Sequence, residues 1–261
     1  MQARSTAINI LEADGPRVGA MTAVGIYRDA IPTSAWKRPT PYLSAAVRRA
    51  FSWRYAVAKR TIDVLLSGLL IILFFPVMLA VAIAVALTSP GPIFFSQERL
   101  GRFGAPFRII KFRSMFARKH KDNVFEINGQ RRSEADHRNE AAYPLNKDTP
   151  DPRITPVGRI IRKLSLDELP QLFNVLLGDM SLVGPRPIVE AEVPLYGHHF
   201  PYYDLFRPGI TGLWQVSGRS DVGFERRVMF DREYASEWSC LLDFKILSLT
   251  VPAVVTMRGA Y

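Results

Sequence analysis

The longest apolar segment of the chain covers residues 64–87, which are 24 positions without a charged side chain. As a straight helix this segment would extend about 36 Å, enough to cross the roughly 30 Å hydrocarbon core of a bilayer. A buried helix of a soluble protein is rarely apolar over such a length. A cleavable signal peptide would lie much nearer the N-terminus. The pattern therefore predicts a membrane-embedded helix.

Two features bear on whether this helix crosses the membrane or re-enters on one face. Pro76 lies near its middle and predicts a bend, and the hydroxyl of Ser67 can bond backbone groups freed at that bend. Lysine and arginine flank both ends, whereas the positive-inside rule places such residues on the cytoplasmic side. A bent, re-entrant helix satisfies both flanks. Proline also occurs in true spanning helices, so both paths stay open at this point.

The region before the helix divides into two parts. Residues 1–45 have a mixed composition without a sustained hydrophobic period, and we expect a mostly disordered extension there. Residues 46–60 are basic with interleaved aromatic residues, a pattern typical of a segment at the headgroup level of an anionic membrane. An ordinary basic linker has a similar composition. Residues 46–89 together form the predicted membrane region.

After residue 89 the composition becomes that of a soluble domain, which we assign to residues 90–261. Apolar clusters around a glycine-containing turn at 101–104 predict a β-hairpin over 92–115. Helical spacing over 155–177 is interrupted at 165–170, and the charge-dense stretch 117–148 predicts a solvated helix or an insertion. Residues 241–257 are apolar but too short between charges to cross a bilayer, so they lie on the membrane or pack in the core. The expected fold is α+β and mainly helical.

Charge and cysteine content narrow the possible functions. Lysine and arginine number 34 against 24 acidic residues, giving a net charge of +10. Such a balance indicates an anionic partner, which is a nucleic acid, an acidic membrane face or a phosphorylated small molecule. Cys240 is the only cysteine, which excludes a disulfide scaffold and a cysteine-cluster zinc site.

Two adjacent carboxylates, Asp167 and Glu168, lie in the segment 165–171. The Ser-x-x-Glu spacing from Ser165 to Glu168 predicts a helix capping box, with Pro170 tolerated in the first turn. Capping explains Glu168 but not the neighbouring Asp167. A carboxylate at the positive end of a helix, near a bound phosphate, is also suited to nucleophilic attack. The pattern alone leaves a structural cap and a catalytic pair both open.

Cationic side chains are frequent in the same part of the sequence. Arg186 lies in a Gly-Pro-Arg-Pro segment, where a fixed backbone suits bidentate phosphate binding, although a rigid surface turn with a solvated arginine has the same pattern. The Gly-rich segment 207–219 could contact a nucleoside but has no dinucleotide or P-loop motif. Other cations in reach of a diphosphate substrate are Arg99, Arg102, Lys111, Arg113, Arg153, Arg159, Arg162 and Lys163. The candidates for substrate binding among them are Arg99, Lys111, Arg113 and Arg162.

Several segments taken together resemble the bacterial sugar transferase family, the monotopic phosphoglycosyl transferases. They are KRTID before the apolar segment, PGPIFFSQERLG, KFRSM and DPRIT after it, and the blocks SLDELPQLFNVLLGDMSLVGPRP and RPGITGLWQVSGR. The similarity covers about residues 58–261, and the chain looks most similar to the exopolysaccharide-priming ExoY type. Residues 1–45 and 117–148 carry no part of it.

The resemblance implies a reaction and a membrane arrangement. Such enzymes transfer a sugar 1-phosphate from a UDP-sugar to undecaprenyl phosphate and release UMP. The apolar helix would be re-entrant, with its break between Ser67 and Pro76 and both ends at the cytoplasmic face of the inner membrane. Asp167 would attack the β-phosphate of the donor and form a covalent phosphosugar intermediate. Glu168 would assist through Mg²⁺ or the acceptor phosphate, and Arg186 would hold phosphate.

The expected cofactor is Mg²⁺, held by Asp167 and Glu168. The expected partners are a UDP-hexose, with galactose favoured over glucose, undecaprenyl phosphate and inner-membrane lipids. Downstream glycosyltransferases are further possible partners, and no feature indicates an oligomeric state. A nucleic-acid role is disfavoured, because the basic residues concentrate beside a membrane segment and no binding motif is present.

A non-enzymatic function is the alternative. A basic, membrane-anchored protein could bind anionic lipid or acidic polysaccharide during export or assembly. Such a protein needs net charge but not Asp167 and Glu168. Loss of those two carboxylates alone would then change little.

Overall fold

The computed structural model of the chain describes residues 41–116, 124–127, 130–133, 153–218 and 223–255. This described part is mainly helical with three two-stranded sheets, as expected from the sequence. The helices are α1 (Pro41–Ala50), α2 (Arg60–Thr88), α3 (Pro156–Lys163), α4 (Gln171–Leu177), α5 (Val193–Tyr196), α6 (Phe200–Asp204), α7 (Leu213–Val216), α8 (Phe224–Glu237) and α9 (Cys240–Val255). The strands are β1 (Phe94–Leu100), β2 (Pro106–Phe112), β3 (Val124–Ile127), β4 (Gln130–Ser133), β5 (Ser181–Val183) and β6 (Gly209–Thr211).

The predicted hairpin is confirmed. Strands β1 and β2 are antiparallel, with Phe94 opposite Phe112, and a short 3₁₀ turn over Arg102–Gly104 joins them. Strands β5 and β6 pair in parallel. The stretch 117–148, for which we expected a solvated helix or an insertion, contains the antiparallel pair β3–β4, so the described residues there are extended rather than helical.

Helix α2 carries the predicted membrane segment. Together with the π-helical residues Arg54–Lys59 it forms a helical stretch, Tyr55–Thr88, that is long and apolar enough to cross a bilayer. Ser67 and Pro76 both lie inside one continuous helix, and the Ser67 hydroxyl donates to the carbonyl of Val64 at 3.2 Å. The expected break therefore does not take the form of non-helical residues.

One face of α2 packs along the globular part of the chain, which we define as residues 94–116 and the described residues from 153 onwards. The buried positions recur at helical spacing and include Asp63, Ser67, Met78, Val81 and Val85. The opposite face is apolar and exposed, including Leu65, Leu69, Ile72, Leu73, Phe75, Leu79, Ile83 and Leu87. An exposed apolar face of this size is typical of a surface that contacts lipid or a partner.

A buried ionic cluster attaches the start of the membrane helix to the globular part. The Lys59 amino group lies 2.8 Å from the Asp243 carboxylate of α9 and 3.4 Å from that of Asp63. Asp63 in turn accepts hydrogen bonds from the Ser181 hydroxyl and the Leu182 backbone N–H. Because buried charges are tolerated only when paired and hydrogen-bonded, this cluster fixes the position of α2 against β5 and α9.

The first and last helices, α1 and α9, lie near the two ends of the described residues. Helix α1 includes residues 41–45, which the sequence analysis placed in the N-terminal extension, whereas residues 1–40 lie outside the described residues. Helix α9, which covers most of the apolar segment 241–257, does pack in the core, with Ile246 buried. Its other face, including Leu241, Phe244 and Val251, is exposed.

Candidate active site

The two adjacent carboxylates lie in a short 3₁₀ turn, Leu166–Glu168, between α3 and α4. The predicted capping box is wrong. Ser165 adopts a left-handed backbone conformation, with φ of 55°, and its side chain makes no capping hydrogen bond. Helix α4 begins only at Gln171, after Pro170. Since Glu168 does not cap a helix, its side chain is available for contacts across the site.

Glu168 instead pairs with a lysine from the β-hairpin. The Lys111 amino group lies 2.7 Å from Glu168 Oε1, and both side chains are partly exposed. Asn174 on α4 fixes the hairpin that carries this lysine. Its side-chain amide accepts from the backbone N–H of Ile110 at 3.0 Å and donates to the carbonyl of Arg108 at 2.8 Å. The amide thus acts like a neighbouring strand and sets Lys111 in register with the carboxylates.

The environment of Asp167 raises the pKa of its carboxyl to about 6. Burial is the main cause, because it disfavours the charged form, and the neighbouring Glu168 carboxylate adds repulsion. The positive charges of Lys111 and Arg162 act in the opposite direction and lower the pKa. A carboxylate that is ionised near neutral pH but poorly solvated is suited to attack an electrophile such as a phosphorus atom.

Arg186 is placed by two loops that pack closely on each other. The backbone N–H of Gly184 donates to Thr211 O at 2.9 Å, and that of Gly209 donates to Pro185 O at 2.7 Å. A side chain on Gly184 or Gly209 would collide with the backbone of the opposing loop. Packing at Gly209 of the glycine-rich segment 207–219 therefore holds the loop that presents Arg186. Gly209, Ile210 and Gln215 of the same segment line the cleft beside Arg186, and a nucleoside contact there stays a prediction.

The guanidinium of Arg186 lies over the indole ring of Trp214. The guanidinium carbon of Arg186 lies 5.6 Å from the centre of the indole ring, and that of Arg227 lies 5.7 Å from it. Arg227 is itself paired with Glu192 at 3.0 Å. Stacking on a buried aromatic ring restricts the guanidinium to few orientations.

One small cleft brings together four of the predicted site residues. Arg99, Lys111, Glu168 and Arg186 all line it. Gln171 and Gln215 line the same cleft, but sequence reasoning did not single out Gln171 as a binding residue and included Gln215 only as part of the segment 207–219. Both lie inside sequence blocks that carried the family resemblance, and that resemblance was the signal that could have identified them. Among the described residues, Oε1 of Gln215 is buried without a hydrogen-bond partner, as is Nε1 of Trp214.

Three of the other predicted site residues do not line this cleft, namely Asp167, which neighbours the lining residue Glu168, and the cations Arg162 and Arg113. Arg162 is near enough to Asp167 to lower its pKa but does not line the cleft. Arg113 is buried, and its guanidinium donates to the carbonyls of Ser89 at 2.6 Å and Pro90 at 3.1 Å, at the C-terminal end of α2. Because these backbone acceptors engage it, we assign Arg113 a structural role rather than the expected phosphate contact.

Arg102 is likewise structural. Its guanidinium donates to the carbonyls of Leu205 at 2.9 Å and Ala50 at 2.8 Å, and it lies over the rings of Phe51 and Phe103. The cation therefore joins the hairpin turn to α1 and α6.

The part of the chain that the structure describes contains no group of three or more His, Cys, Asp or Glu side chains that could hold a metal ion. The residues expected from the sequence to hold Mg²⁺ are a pair of carboxylates, Asp167 and Glu168. Mg²⁺ commonly binds through one or two carboxylates together with substrate phosphates and water. The repulsion between these two carboxylates, which contributes to the raised pKa of Asp167, fits a site for an added cation.

A family model described as bacterial sugar transferase matches residues 54–257, which include the carboxylate pair, the hairpin and the Arg186 loop. The chain belongs to this family. As the resemblance implied, relatives include an exopolysaccharide production protein, ExoY, of Rhizobium meliloti, which is 43% identical over 78% of this chain and 88% of its own.

Two other relatives carry more explicit names. The undecaprenyl-phosphate galactose phosphotransferase of Salmonella typhimurium is 44% identical over 78% of this chain and 41% of its own length. The UDP-glucose:undecaprenyl-phosphate glucose-1-phosphate transferase of Caulobacter vibrioides is 43% identical over 78% of this chain and 72% of its own. Relatives at similar identity thus have names that specify different hexoses.

Proposed function

We propose that this protein is a priming phosphoglycosyl transferase that moves hexose 1-phosphate from a UDP-hexose to undecaprenyl phosphate and releases UMP. The observation that carries this proposal is the cleft in which Glu168, Lys111, Arg99 and Arg186 meet. Both substrates are phosphate anions, and fixed cations around one cleft can hold each of them in turn. The names of the relatives support the same reaction.

Asp167 is the proposed nucleophile. Its carboxylate oxygen attacks the β-phosphorus of the donor, a bond forms between that oxygen and phosphorus, and the phosphoanhydride bond to UMP breaks. An oxygen of undecaprenyl phosphate then attacks the same phosphorus and releases Asp167 as a carboxylate. Two successive displacements through one site give ping-pong kinetics. The raised pKa of Asp167 supports this role, since poor solvation makes the anion more reactive.

The surrounding side chains would orient and neutralise the phosphates. Arg186 and Arg99 would bind phosphate oxygens through their planar guanidinium groups. Lys111 holds Glu168 in place and adds positive charge beside the nucleophile. Mg²⁺, the proposed cofactor, would be held by Glu168 and Asp167 with the donor diphosphate, and when bound it supplies charge neutralisation there.

We place the protein at the cytoplasmic face of the bacterial inner membrane, with α2 as a re-entrant helix. Contacts at both ends of α2 support this. Near its start, Arg60 donates to the carbonyls of Val175 and Leu176, and at its end Arg113 donates to Ser89. A helix that spans the bilayer would carry one end to the opposite face, away from the globular part that holds both ends here.

The topology is testable with single cysteines. In a Cys240→Ser background, Trp53→Cys precedes the helix and Pro92→Cys follows it, and both positions are exposed. A membrane-impermeant maleimide should label both sites in inverted membrane vesicles and neither in intact spheroplasts. Labelling of the two sites from opposite faces would contradict the re-entrant arrangement.

The activity is tested by UMP release from UDP-galactose and UDP-glucose with undecaprenyl phosphate and Mg²⁺. We expect release that depends on the donor sugar and is abolished by Asp167→Asn. The control is Glu233→Gln, which removes an exposed carboxylate from α8. Galactose is the favoured donor and glucose the next. Release undiminished in Asp167→Asn would overturn the assignment of the nucleophile, and no release from any UDP-hexose would favour the lipid- or polysaccharide-binding alternative.

A further inference from the structure

A second depression in the structure is apolar and lies beside the active site. It is a groove of about 530 Å³ between the C-terminal half of α2 and helix α3. Its nine lining residues are all apolar, five from α2, three from α3 and Leu166 from the 3₁₀ turn. The volume is within the range of about 300–1,000 Å³ that small-ligand pockets occupy.

The groove exists because small residues on α2 face larger ones on α3. Ala80 and Ala84 lie one turn apart on α2 and leave space beside Ile160, which is 59% exposed. Val81 and Ile161, deeper in the same region, are buried and form the floor. No charged or hydroxyl-bearing side chain lines the groove. A ligand held here would therefore be a hydrocarbon chain.

The position of Leu166 connects the groove to the chemistry. Leu166 lines the groove, and the next residue is Asp167, the proposed nucleophile. Consecutive Cα atoms are about 3.8 Å apart, so the backbone of the proposed nucleophile lies next to this apolar surface. A molecule with a phosphate head and an apolar chain would place each part in matching surroundings across this boundary.

We propose that this groove binds the phosphate-proximal isoprene units of the polyprenyl acceptor and thereby directs its phosphate to Asp167. The proposal rests on the proposed function, since it names the part of the protein that recognises the lipid half of the acceptor. Membrane phospholipid is the other possible occupant. We favour the polyprenyl chain because a lining residue of the groove, Leu166, immediately precedes Asp167, which the acceptor phosphate must reach.

The main test fills the groove from one wall and compares a matched variant. Ala80→Trp adds a large side chain inside the groove. Ala86→Trp makes the same change at an exposed position of the same helix that does not line it. In a ping-pong reaction each substrate has its own kcat/KM, so the two half-reactions can be measured separately. We expect Ala80→Trp to lower kcat/KM for undecaprenyl phosphate at least about tenfold more than kcat/KM for the UDP-hexose.

A second variant fills the groove from the opposite wall. Ile160→Trp on α3 should give the same selective loss as Ala80→Trp, whereas Ala86→Trp should match the wild type. Equal acceptor constants in all three variants would overturn the groove proposal while leaving the proposed function intact. A wild-type protein that releases no UMP from any UDP-hexose would instead overturn the proposed function.

A labelling experiment reports on the groove without turnover. A farnesyl phosphate that carries a photoreactive diazirine on its chain should label peptides containing residues 76–84 or 157–166 in the wild type. Excess undecaprenyl phosphate should suppress this labelling, and vesicles of phosphatidylglycerol should not. Equal suppression by both lipids would contradict a site for the polyprenyl chain and indicate an ordinary lipid contact.

Discussion

The amino group of Lys111 lies 2.7 Å from the Glu168 carboxylate, next to the proposed nucleophile Asp167. The two partners act on the pKa of Asp167 in opposite directions, because Lys111 lowers it and Glu168 raises it. Their pairing holds a positive and a negative charge close to one carboxyl group. The protonation of Asp167 therefore depends on a balance that single substitutions can shift either way.

The first prediction uses this balance. Asp167 must be ionised to attack, and its pKa of about 6 predicts that kcat/KM for the UDP-hexose falls as the pH drops through about 6. Lys111→Met removes a cation, so the acid limb of the profile should move to higher pH. Glu168→Gln removes the repelling charge, so the limb should move to lower pH. The measurement is the pH dependence of the residual UMP release.

Glu233→Gln, at an exposed position, serves as the control. The acid limb of its pH profile should fall at the same pH as in the wild type. Movement of the limb in the same direction for Lys111→Met and Glu168→Gln would contradict Asp167 as the titrating group.

The second prediction concerns stability. The pKa of the Asp167 carboxyl is higher in the folded protein than its ordinary value of 3.8. Ionisation of Asp167 therefore destabilises the folded state relative to the unfolded state. This destabilisation is absent below about pH 4 and fully present above about pH 6. Asp167→Asn removes this destabilisation. The variant should have a free energy of unfolding about 1–3 kcal/mol higher than the wild type at pH 7.5, since one pKa unit corresponds to about 1.4 kcal/mol.

Thermal unfolding in detergent at pH 7.5 and pH 4 checks this. The advantage of Asp167→Asn should shrink towards zero at the lower pH, where the wild-type carboxyl is protonated. An inactive variant that is less stable than the wild type at both pH values would show that the carboxylate supports the fold.

Much of the fold follows from local patterns in the sequence. The uncharged run at 64–87 and the glycines around 101–104 specify the long helix and the hairpin through composition and turn chemistry alone. The interruption of the helical period at 165–170 also appears where the spacing placed it. These features depend on neighbours along the chain, which a sequence displays directly.

Features that depend on distant contacts were not readable in the same way. Ser165 and Glu168 have the spacing of a capping box, but the left-handed conformation of Ser165 and the Lys111 pair, 57 positions away, override it. Arg113 resembles Lys111 as a hairpin cation, yet it points to the end of α2 rather than to the cleft. Strand alternation would place these two side chains, which are two residues apart, on one face. Arg113 lies just after the end of β2, however, and donates to the end of α2 instead.

The third prediction concerns the buried cluster at the start of α2. Lys59→Met would leave the carboxylates of Asp63 and Asp243 buried without their cation. Breaking a buried ion pair in this way costs about 3–5 kcal/mol. The variant should unfold at a markedly lower temperature, and adding Asp243→Asn should recover part of the loss because it removes one unpaired charge. Thermal unfolding of the single and double variants in detergent provides the measurement.

The matched control for this cluster is Arg48→Met, which removes an exposed cation from α1. Its unfolding temperature should equal that of the wild type. A double variant that is less stable than Lys59→Met alone would contradict electrostatic repulsion as the cause of the loss.

The last prediction separates structural cations from substrate-binding ones. Arg113→Leu keeps apolar volume but removes the charged donor to the carbonyls of Ser89 and Pro90. Carbonyl groups at a helix C-terminus need partners, and a hydrogen bond from a charged donor contributes about 1.5–3 kcal/mol. The variant should lose about that much stability, while kcat/KM for the UDP-hexose, expressed per folded protein, stays within about twofold of the wild type.

Arg186→Leu should behave in the opposite way, because Arg186 lines the cleft and its guanidinium stacks on Trp214. We expect a loss of about ten- to a hundredfold in kcat/KM for the donor with a smaller change in unfolding temperature. Steady-state kinetics and thermal unfolding on the same preparations decide between the two roles. A large rise in donor KM for Arg113→Leu at unchanged stability would restore Arg113 to the phosphate-binding role that its sequence position suggested.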